Sequence, residues 1–431
     1  MIIDNFEIKG FWGRSTVKGK MNPDVTIFIG DNGTGKTTLI NTLVGALLVA
    51  PRMLDSVPFD AIDIELKRTE GRGRPPKISI RRIEQDVPYG VFKYIIRNQE
   101  FLIFSQPRRL SFRHRMAFKS AKAEQQQQEL KEVLSSLVEV SWISVYRHPL
   151  VESREEELKF NVDRRLEELT VGLSKYQLRL QNLVTERSRQ FQRDVMLSIL
   201  YSQRLDDLSN FQTMRKKINI EKKHERDLAR AFKEFGIHES EELIKQHFIE
   251  IRKAVKNITN YMKGTQKELT LSDISPLPFA TRTQRIVKLL EKAEEDKERI
   301  RQPIDVFLKT LHSFVDKKKF EVDARTGELM VKILKGASVK EEAIRIFDLS
   351  SGEKQLLIQL LEVLLQEGRP MIFFADEPEL SLHVSWQEKL LPALRKLNSN
   401  SQIIVATHSP DIVSEFRKNV INMEDIIKDG V

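Results

Sequence analysis

The sequence predicts an α/β fold built from two half-domains, with a long helical segment inserted between them. Three observations support this. A glycine-rich loop lies between an apolar strand and an apolar helix at 25–48. A second apolar run, at 371–377, ends in the carboxylates of Asp376 and Glu377. Between the two, from about 152 to 316, the residues are highly charged and show helical heptad spacing.

The glycine-rich loop at 30–37 fits the phosphate-binding pattern G-x-x-x-x-G-K-[ST] without a mismatch. The run 25–29 before it predicts a buried strand, and the run 38–48 after it predicts a helix. The amides and the dipole of such a helix start favour an anion. Lys36 is expected to reach the β- and γ-phosphates of ATP, and the Thr37 hydroxyl to ligate Mg²⁺. The residues expected at the nucleotide are Gly30, Asn32, Gly33, Thr34, Gly35, Lys36, Thr37 and Thr38.

The composition limits the class of protein. With 431 residues, 40% hydrophobic and 31% charged, the chain can form two or three domains with much solvated helix. It has no cysteine, which excludes disulfides and cysteine nucleophiles and fits a cytoplasmic location. The N-terminus shows no signal-peptide pattern, and no apolar run approaches the roughly 20 residues of a membrane span. The net charge of +9 is compatible with nucleic-acid binding, but it is modest for a chain of this size and does not require it.

Residues 1–150 are expected to form the first half of an α/β ATPase core, called the head below. Apolar runs separated by turn residues predict antiparallel hairpins at 62–66, 77–80, 91–96 and 101–104, and a further strand at 141–146. Two basic clusters in this part could contact the phosphates of DNA or could be solvated strand edges that prevent edge pairing. They are Lys67, Arg68, Arg72, Arg74, Lys77, Arg81 and Arg82, then Arg108, Arg109, Arg113 and Arg115.

Residues 151–317 are expected to form a helical, coiled-coil insertion that leaves the head and returns to it. A compact helical subdomain is the alternative. Within the insertion, 270–280 is predicted to be a loop, and 281–284 a capping box that opens the returning helix. The predicted seam residues are Leu166, Leu169, Leu173, Tyr176, Leu180 and Leu183 on the outgoing helix, and Ile300, Ile304, Phe307, Leu311 and Phe314 on the returning one.

Residues 318–431 are expected to complete the head. A buried parallel strand delivers its last residues to the carboxyl edge of the sheet, where α/β folds bind ligands. Asp376 is expected to hold Mg²⁺ and Glu377 to orient the attacking water. His408, at the end of the apolar run 401–407, is predicted to sense the γ-phosphate. The small-residue loop at 349–355 predicts a second helix start that binds phosphate.

Taken together, these motifs resemble the head of ABC-type ATPases. The resemblance rests on the Walker A loop at 30–37, the signature Leu349-Ser350-Ser351-Gly352-Glu353, Walker B at 371–377, and His408. The helical insertion between the two motif halves is similar to that of the RecF/SMC/OLD branch. The runs 376–383 and 407–410 are similar to the Walker B, D-loop and histidine switch of OLD-like ATPases.

The resemblance implies that two heads close on ATP, so that the protein is at least a homodimer. Ser350 and Gly352 of one subunit would contact the γ-phosphate bound by Lys36 of the other. Two positions depart from the family pattern. The Q-loop glutamine has only a weak candidate in Gln106, and Ser351 stands where glycine is usual.

The chain ends soon after His408, without the TOPRIM domain of OLD nucleases. The resemblance therefore implies the ATPase half of a two-component system, similar to the ATPase subunits of the PARIS and Septu antiphage systems. The leading hypothesis is a bacterial defence ATPase that controls a separate nuclease or toxin. The alternative is a DNA repair or recombination ATPase of the RecF/SMC kind. A transporter ATPase ranks last, because its signature follows Walker A closely.

Overall fold

The computed structural model describes residues 1–69, 75–83, 90–105, 121–144, 155–200, 218, 221–234, 237, 241–333 and 342–429. The chain divides into two compact units. The first joins Met1–Tyr176 to Pro303–Val431, and the second is Gln177–Gln302. Both boundaries lie inside the predicted insertion at 151–317, because the ends of the insertion nearest the head pack within the first unit.

The strands form three sheets. In chain order they are β1 (Ile2–Phe11), β2 (Ser15–Lys20), β3 (Val25–Ile29), β4 (Ala61–Lys67), β5 (Lys77–Ile83), β6 (Val91–Ile96), β7 (Gln99–Phe104), β8 (Val140–Ser144), β9 (Lys318–Val322), β10 (Leu329–Ile333), β11 (Glu342–Ile344), β12 (Ile372–Asp376), β13 (Gln402–Ala406), β14 (Val420–Asn422) and β15 (Ile427–Asp429).

The central sheet has the order β14-β3-β13-β12-β8, and every neighbouring pair in it is parallel. β12 and β13 are buried along their whole length, as near-continuous apolar runs in a parallel sheet require. β3, β12 and β13 therefore end at the same edge. That edge carries the glycine-rich loop after β3, Asp376 at the end of β12, and His408 shortly after β13.

The second sheet is antiparallel, in the order β15-β2-β1-β4-β5-β6-β7. Its strands β4 to β7 are the hairpins predicted from the turn residues, whereas β2 and β15 were not predicted. A small third sheet has the order β11-β10-β9. The main core contains apolar residues of the two larger sheets and of the helix after β3. Within it the rings of Phe6 and Phe28 meet edge to face at 6.2 Å, one from each sheet.

The helices flank the sheets or form the insertion. In chain order they are α1 (Lys36–Leu47), α2 (Pro51–Asp55), α3 (Ala121–Leu137), α4 (Glu155–Ile199), α5 (Lys222–Glu234), α6 (Glu241–Met262), α7 (Leu271–Ile274), α8 (Leu277–His312), α9 (Ser351–Leu364), α10 (Val384–Leu397), α11 (Pro410–Val413) and α12 (Met423–Ile426). The fold class is thus the predicted one, an α/β head with long inserted helices.

The predicted seam of α4 holds except at its last member. Leu166, Leu169, Leu173, Tyr176 and Leu180 are buried. Leu183, however, is 52% exposed, and Val184 is buried in its place. A straight α-helix drifts against a strict heptad repeat, so the buried stripe moves to a neighbouring position after a few turns.

The prediction of a loop at 270–280 and a capping box at 281–284 is wrong. The capping box is instead at Thr270 and Asp273, which open α7. α8 already begins at Leu277, so Thr281 lies inside it, and its hydroxyl donates to the Leu277 carbonyl at 3.1 Å. Pro278 does not delay this start, because proline is tolerated in the first turn of a helix, where its missing N–H has no partner anyway.

In the second unit, the inserted helices pack through several small apolar clusters rather than one core. One of them joins Leu228 of α5 to Ile244 and Phe248 of α6. Among the described residues, no helix is long and apolar enough to cross a membrane.

Candidate active site

The loop after β3 leaves its amides open to a ligand. Gly30, Gly33 and Gly35 have φ values of 151°, 87° and 92°, a region that glycine adopts readily. Gly35 precedes α1, which has no side-chain cap and no acidic residue in its first turn. The first N–H groups of a helix need partners from outside it. This helix start is therefore suited to an anion.

Lys36 lies folded over the loop. It is only 4% exposed, and its Nζ donates to the carbonyls of Gly30 at 2.8 Å and Asp31 at 3.0 Å. Burial lowers the pKa of Lys36 from its usual value, although the carboxylates of Glu377, Asp31 and Asp376 act in the opposite direction. The backbone carbonyls hold the ammonium beside the open amides.

Asp376 ends β12 directly opposite Thr37. Its side chain is fully buried, and Oδ1 accepts a hydrogen bond from the Thr37 hydroxyl at 3.0 Å. Oδ2 is buried and has no partner among the described residues. Burial raises the pKa of Asp376 to about 6, against the effect of the Thr37 hydrogen bond and with a further push from Glu377. An unpartnered buried carboxylate oxygen has a strong need for a proton donor or a cation.

These groups fit a magnesium ion that is held mainly by phosphate. Mg²⁺ takes oxygen ligands and is usually bound through one or two carboxylates together with substrate phosphates. Thr37 Oγ1 and Asp376 Oδ2 are oxygens of this kind. Among the described residues no group of three or more His, Cys, Asp or Glu could hold a metal by itself.

Glu377 and His408 are close to each other beyond the ends of β12 and β13. His408 Nε2 lies 3.6 Å from Glu377 Oε1. Glu377 has a φ of 47°, an uncommon value for a residue with a side chain, and residues with such values cluster at functional sites. Its amide donates to the Ala406 carbonyl at 2.8 Å, which holds it against β13.

The signature residues stand at the start of α9. Ser350 is the N-cap, and with Glu353 it forms a capping box. The Ser350 hydroxyl donates to Glu353 Oε2 at 2.8 Å, and Lys318 Nζ donates to the two oxygens of Glu353 at 2.6 and 2.7 Å. Among the described residues, no hydrogen bond or ion pair joins Ser350 or Gly352 to the loop at 30–37.

Gly352 lies tightly against the segment after Glu377. A Cβ atom built on Gly352 would stand 2.4 Å from the Ser381 carbonyl oxygen, so only glycine fits there. Gln359, further along α9, donates to the Pro378 carbonyl at 2.8 Å. The start of α9 and the segment 378–381 are therefore in direct contact within one chain.

The family of the chain follows from its match to a known family model. The model described as AAA ATPase domain matches residues 1–413. The chain belongs to this AAA ATPase domain family. Relatives that are named as probable ATPases or as an ATP-binding protein match parts of the chain, and the family match makes the protein an ATPase.

Two relatives of this ATPase carry retron names. The Retron Vc95 probable ATPase of Vibrio cholerae serotype O1 biovar El Tor is 31% identical over 157 residues, which cover 32% of this chain and 29% of that protein. The Retron Ec83 probable ATPase of Escherichia coli is 36% identical over 81 residues, which cover 16% and 15%. The match thus spans less than a third of the length of either relative.

Two solved Smc head structures align with most of the chain, at TM-scores below 0.5. The Smc head with an extended coiled coil bound to the C-terminal domain of ScpA, from Pyrococcus furiosus, covers 98% of this chain and 93% of its own, with a TM-score of 0.42 and 14% identity. The SmcHead bound to the C-winged helix domain of ScpA covers 98% and 94%, with a TM-score of 0.44 and 13% identity.

Two residues at the site of the ATPase were not predicted from the sequence. Trp12, in the turn between β1 and β2, is 37% exposed and has a φ of 57°. Its ring atoms lie 2.7 and 2.9 Å from where a Cβ of Gly35 would stand, so the ring borders the phosphate loop. The position of Trp12 between Gly10 and Gly13, in a turn shortly before the glycine-rich loop, is the sequence signal that could have identified it. The second residue, Glu379, contacts the His408 segment.

Three of the five described members of the first basic cluster, Lys77, Arg81 and Arg82, form ion pairs within the head. Asp63 lies 3.0 Å from Arg81 and 3.6 Å from Lys77, and Arg82 lies 2.8 Å from Asp55. Burial alone would raise the pKa of Asp63, but the hydrogen bonds from Arg81 and Ser79 outweigh it and lower the pKa. Paired charges of this kind favour a structural role for Lys77, Arg81 and Arg82.

Several predicted residues lie outside the described part of the chain. They are Gln106, Arg72, Arg74 and the cluster Arg108, Arg109, Arg113 and Arg115.

Proposed function

We propose that this ATPase works as a pair of heads that hold Mg²⁺ and ATP between two copies of the chain and control a separate effector protein in bacterial antiphage defence. The observation that carries the paired-head proposal is the separation of two half-sites on one chain. Gly35 and Lys36 offer an open helix start and a cation, whereas Ser350 and Gly352 stand at a different helix start without a described contact to them. A second copy would complete the site.

The site residues take the following roles in this proposal. Lys36 exchanges its bonds to loop carbonyls for bonds to the β- and γ-phosphates, a charge-assisted contact of the stronger kind. Thr37 and Asp376 hold Mg²⁺, which neutralises phosphate charge when bound. Glu377 orients the attacking water and accepts its proton while the bond from the γ-phosphorus to the bridging oxygen breaks. His408 contacts the γ-phosphate.

Trp12 offers a flat, partly exposed surface beside the phosphate loop, and we assign it to stacking on the adenine base. Stacking of this kind contributes to ground-state binding, so its loss raises KM without slowing the chemical step. Trp12→Ala should therefore raise the KM for ATP several-fold and leave kcat unchanged. An unchanged KM would remove Trp12 from the nucleotide site.

The paired heads are tested with Glu377→Gln, which keeps the size of the side chain and removes the charge that holds the water proton. The variant is expected to bind ATP, to hydrolyse it on the order of 10²-fold more slowly or worse, and to accumulate as a dimer. Size-exclusion chromatography with light scattering, with and without Mg²⁺–ATP, measures the dimer. Glu388→Gln is the control, since Glu388 is an exposed residue of α10. A Glu377→Gln protein that stays monomeric with ATP bound contradicts the paired-head proposal.

The defence context is supported by the partial likeness to retron-named ATPases. It predicts that the product of an adjacent gene co-purifies with the ATPase, and that this association changes between the nucleotide-free protein and Glu377→Gln with ATP. A chain encoded without a neighbouring nuclease or toxin, or one whose neighbour never associates, argues against it.

A DNA repair or recombination ATPase remains the second candidate, favoured by the net charge of +9. It predicts that DNA stimulates ATP turnover and that the affinity for DNA falls steeply with salt, because bound counterions are released. Turnover that is the same with and without DNA rules this candidate out.

A further inference from the structure

Glu379 is a second acidic residue beyond β12, two positions after Glu377, and its side chain contacts the segment after β13. Its Oε1 accepts three hydrogen bonds from consecutive residues. The donors are the Thr407 hydroxyl, the His408 amide at 3.2 Å and the Ser409 amide at 3.3 Å. One carboxylate oxygen thus binds the backbone on both sides of the His408 Cα.

These bonds restrict His408 from both sides. Hydrogen bonds to a carboxylate are about twice as strong as those between neutral groups. Ser409 is further fixed, because its hydroxyl donates to Gln387 at 2.6 Å and caps α11 by accepting from the Asp411 amide at 3.2 Å. Because the amides of His408 and Ser409 are both bonded to Glu379, the backbone at His408 is held in place. The His408 imidazole that it carries lies 3.6 Å from Glu377.

The position of Glu379 depends in turn on α9. The carbonyl of Pro378, the preceding residue, accepts from Gln359 of α9 at 2.8 Å, and the Glu379 carbonyl accepts from the Leu382 amide at 2.9 Å. Gly352, at the start of α9, touches the Ser381 carbonyl. The helix that carries the signature residues therefore borders both sides of Glu379 along the chain.

We propose that Glu379 is a positioning residue for ATP hydrolysis, which holds the backbone at His408 so that the imidazole stands beside Glu377 at the γ-phosphate. This rests on the role proposed for His408. Glu379 does not touch the nucleotide in this proposal, and it acts through its Oε1 alone. Oε2 is buried without a partner, so it makes no competing contact within the described chain.

The experiment compares Glu379→Ala, Glu379→Gln, His408→Ala and the double variant Glu379→Ala/His408→Ala. For each, steady-state kinetics give kcat and KM, and a fluorescent ATP analogue gives the dissociation constant. Misplacement of a reacting group by about 1 Å can cost on the order of 10²-fold in rate, so Glu379→Ala is expected to lower kcat by about ten- to a hundredfold. The dissociation constant for the analogue should stay within about twofold, because no phosphate contact is removed.

Two comparisons separate positioning from mere structural support. Glu379→Gln keeps an acceptor oxygen at the same place, and a neutral acceptor still forms the three bonds. The kcat of Glu379→Gln should therefore be at least about tenfold higher than that of Glu379→Ala. The double variant should be no slower than His408→Ala alone, because residues that act as a unit are not additive.

The outcomes are distinct. A Glu379→Ala protein with normal kcat, or a double variant in which the two losses multiply, overturns the positioning role and leaves the role of His408 intact. If His408→Ala itself has normal kcat, the role proposed for His408 fails and the positioning role fails with it. A loss of analogue binding in Glu379→Ala equally overturns the proposal, because it indicates collapse of the nucleotide site rather than a misplaced imidazole.

Discussion

The two helix starts that the sequence marks as phosphate sites differ in how their amides are satisfied. α1 begins after Gly35 in a left-handed conformation, with no side-chain cap and no acidic residue in its first turn. α9 begins after Ser350, whose side chain and that of Glu353 close a complete capping box. One start is open to an outside anion, whereas at the other the capping box already occupies the amides of Ser350 and Glu353.

This difference separates the two predicted phosphate sites by the contacts that an incoming anion has to displace. At α9, a phosphate that binds Ser350 has to replace the bond from its hydroxyl to Glu353 Oε2. Glu353 would still keep Lys318 as a partner at 2.6 Å. We therefore expect α1 to bind nucleotide in a single chain, and α9 to contribute only when a second head brings a phosphate to it.

The largest effect is expected at the open start. Lys36→Ala removes the ammonium that we propose to contact two phosphates, and each hydrogen bond to a charged group contributes about 1.5–3 kcal/mol. Affinity for ATP should fall on the order of a thousandfold, as measured by isothermal titration calorimetry. Lys18→Ala is the control, because the Lys18 side chain is 70% exposed. Nearly normal ATP affinity in Lys36→Ala would mean that the open start does not bind the phosphates.

The next effect concerns the carboxylate opposite α1. Since the pKa of Asp376 is raised to about 6, the folded state binds its proton more tightly than the unfolded state does. Asp376 therefore destabilises the nucleotide-free protein above about pH 6, and this cost disappears as the pH falls towards about 4.

Asp376→Asn should accordingly raise the free energy of unfolding at pH 8 by on the order of 2 kcal/mol, and abolish hydrolysis. The measurement is thermal unfolding in EDTA at pH 4, 6 and 8. A stabilisation that is equal at all three values contradicts the electrostatic explanation.

A smaller effect is expected at the start of α9, where the capping box is formed. Glu353→Ala removes one half of the capping box and leaves the amine of Lys318 without its partner, so the free energy of unfolding should fall by about 1–2 kcal/mol. Burial alone would raise the pKa of Glu353, but the hydrogen bonds from Lys318 and Ser350 outweigh it and lower the pKa. The stabilisation from Glu353 is therefore present above its unfolded pKa and is lost as the pH falls below it.

Chemical denaturation at pH 7 and pH 3.5 tests this prediction, because the difference between Glu353→Ala and the natural chain should shrink at the lower pH. ATP binding to a single chain should not change. If Glu353→Ala weakens it as much as Lys36→Ala does, the contrast between the two helix starts is wrong.

Local patterns predicted most of the fold. Most strands of the two larger sheets and the helix after the glycine loop follow from short runs of apolar and turn residues, and the structure has them where they were expected. The short strands β2, β14 and β15 were not predicted. The wrong helix start was predicted between 270 and 284, where more than one residue fits the pattern of a helix cap. Thr270 and Thr281 are both threonines with a polar residue three positions on. Thr270 is the cap in the structure, where its partner Asp273 also accepts a hydrogen bond from Asn257 of α6 at 2.7 Å.

The candidate site was predictable where one motif contains the chemistry, as for Lys36 and Thr37. It was not predictable where the contact is tertiary. Glu379 and Thr407 are 28 positions apart, and no spacing rule links a residue after one strand to a residue after another. Similarly, the pairing of Ser350 with Glu353 fits the capping-box pattern. The ion pair of Lys318 with Glu353 was not predictable, because it is a tertiary contact between β9 and α9.

The contact between Gly352 and the Ser381 carbonyl affects how genetics on this protein should be interpreted. Replacing the signature glycine is an obvious way to separate nucleotide binding from head pairing. Here any side chain at 352 would push on the segment that bears Glu379, because a Cβ would stand 2.4 Å from that carbonyl. An inactive Gly352 variant would therefore combine two defects, one in the pairing of heads and one in the geometry at His408. Ser350→Ala, which adds no atoms, is the cleaner separation-of-function allele.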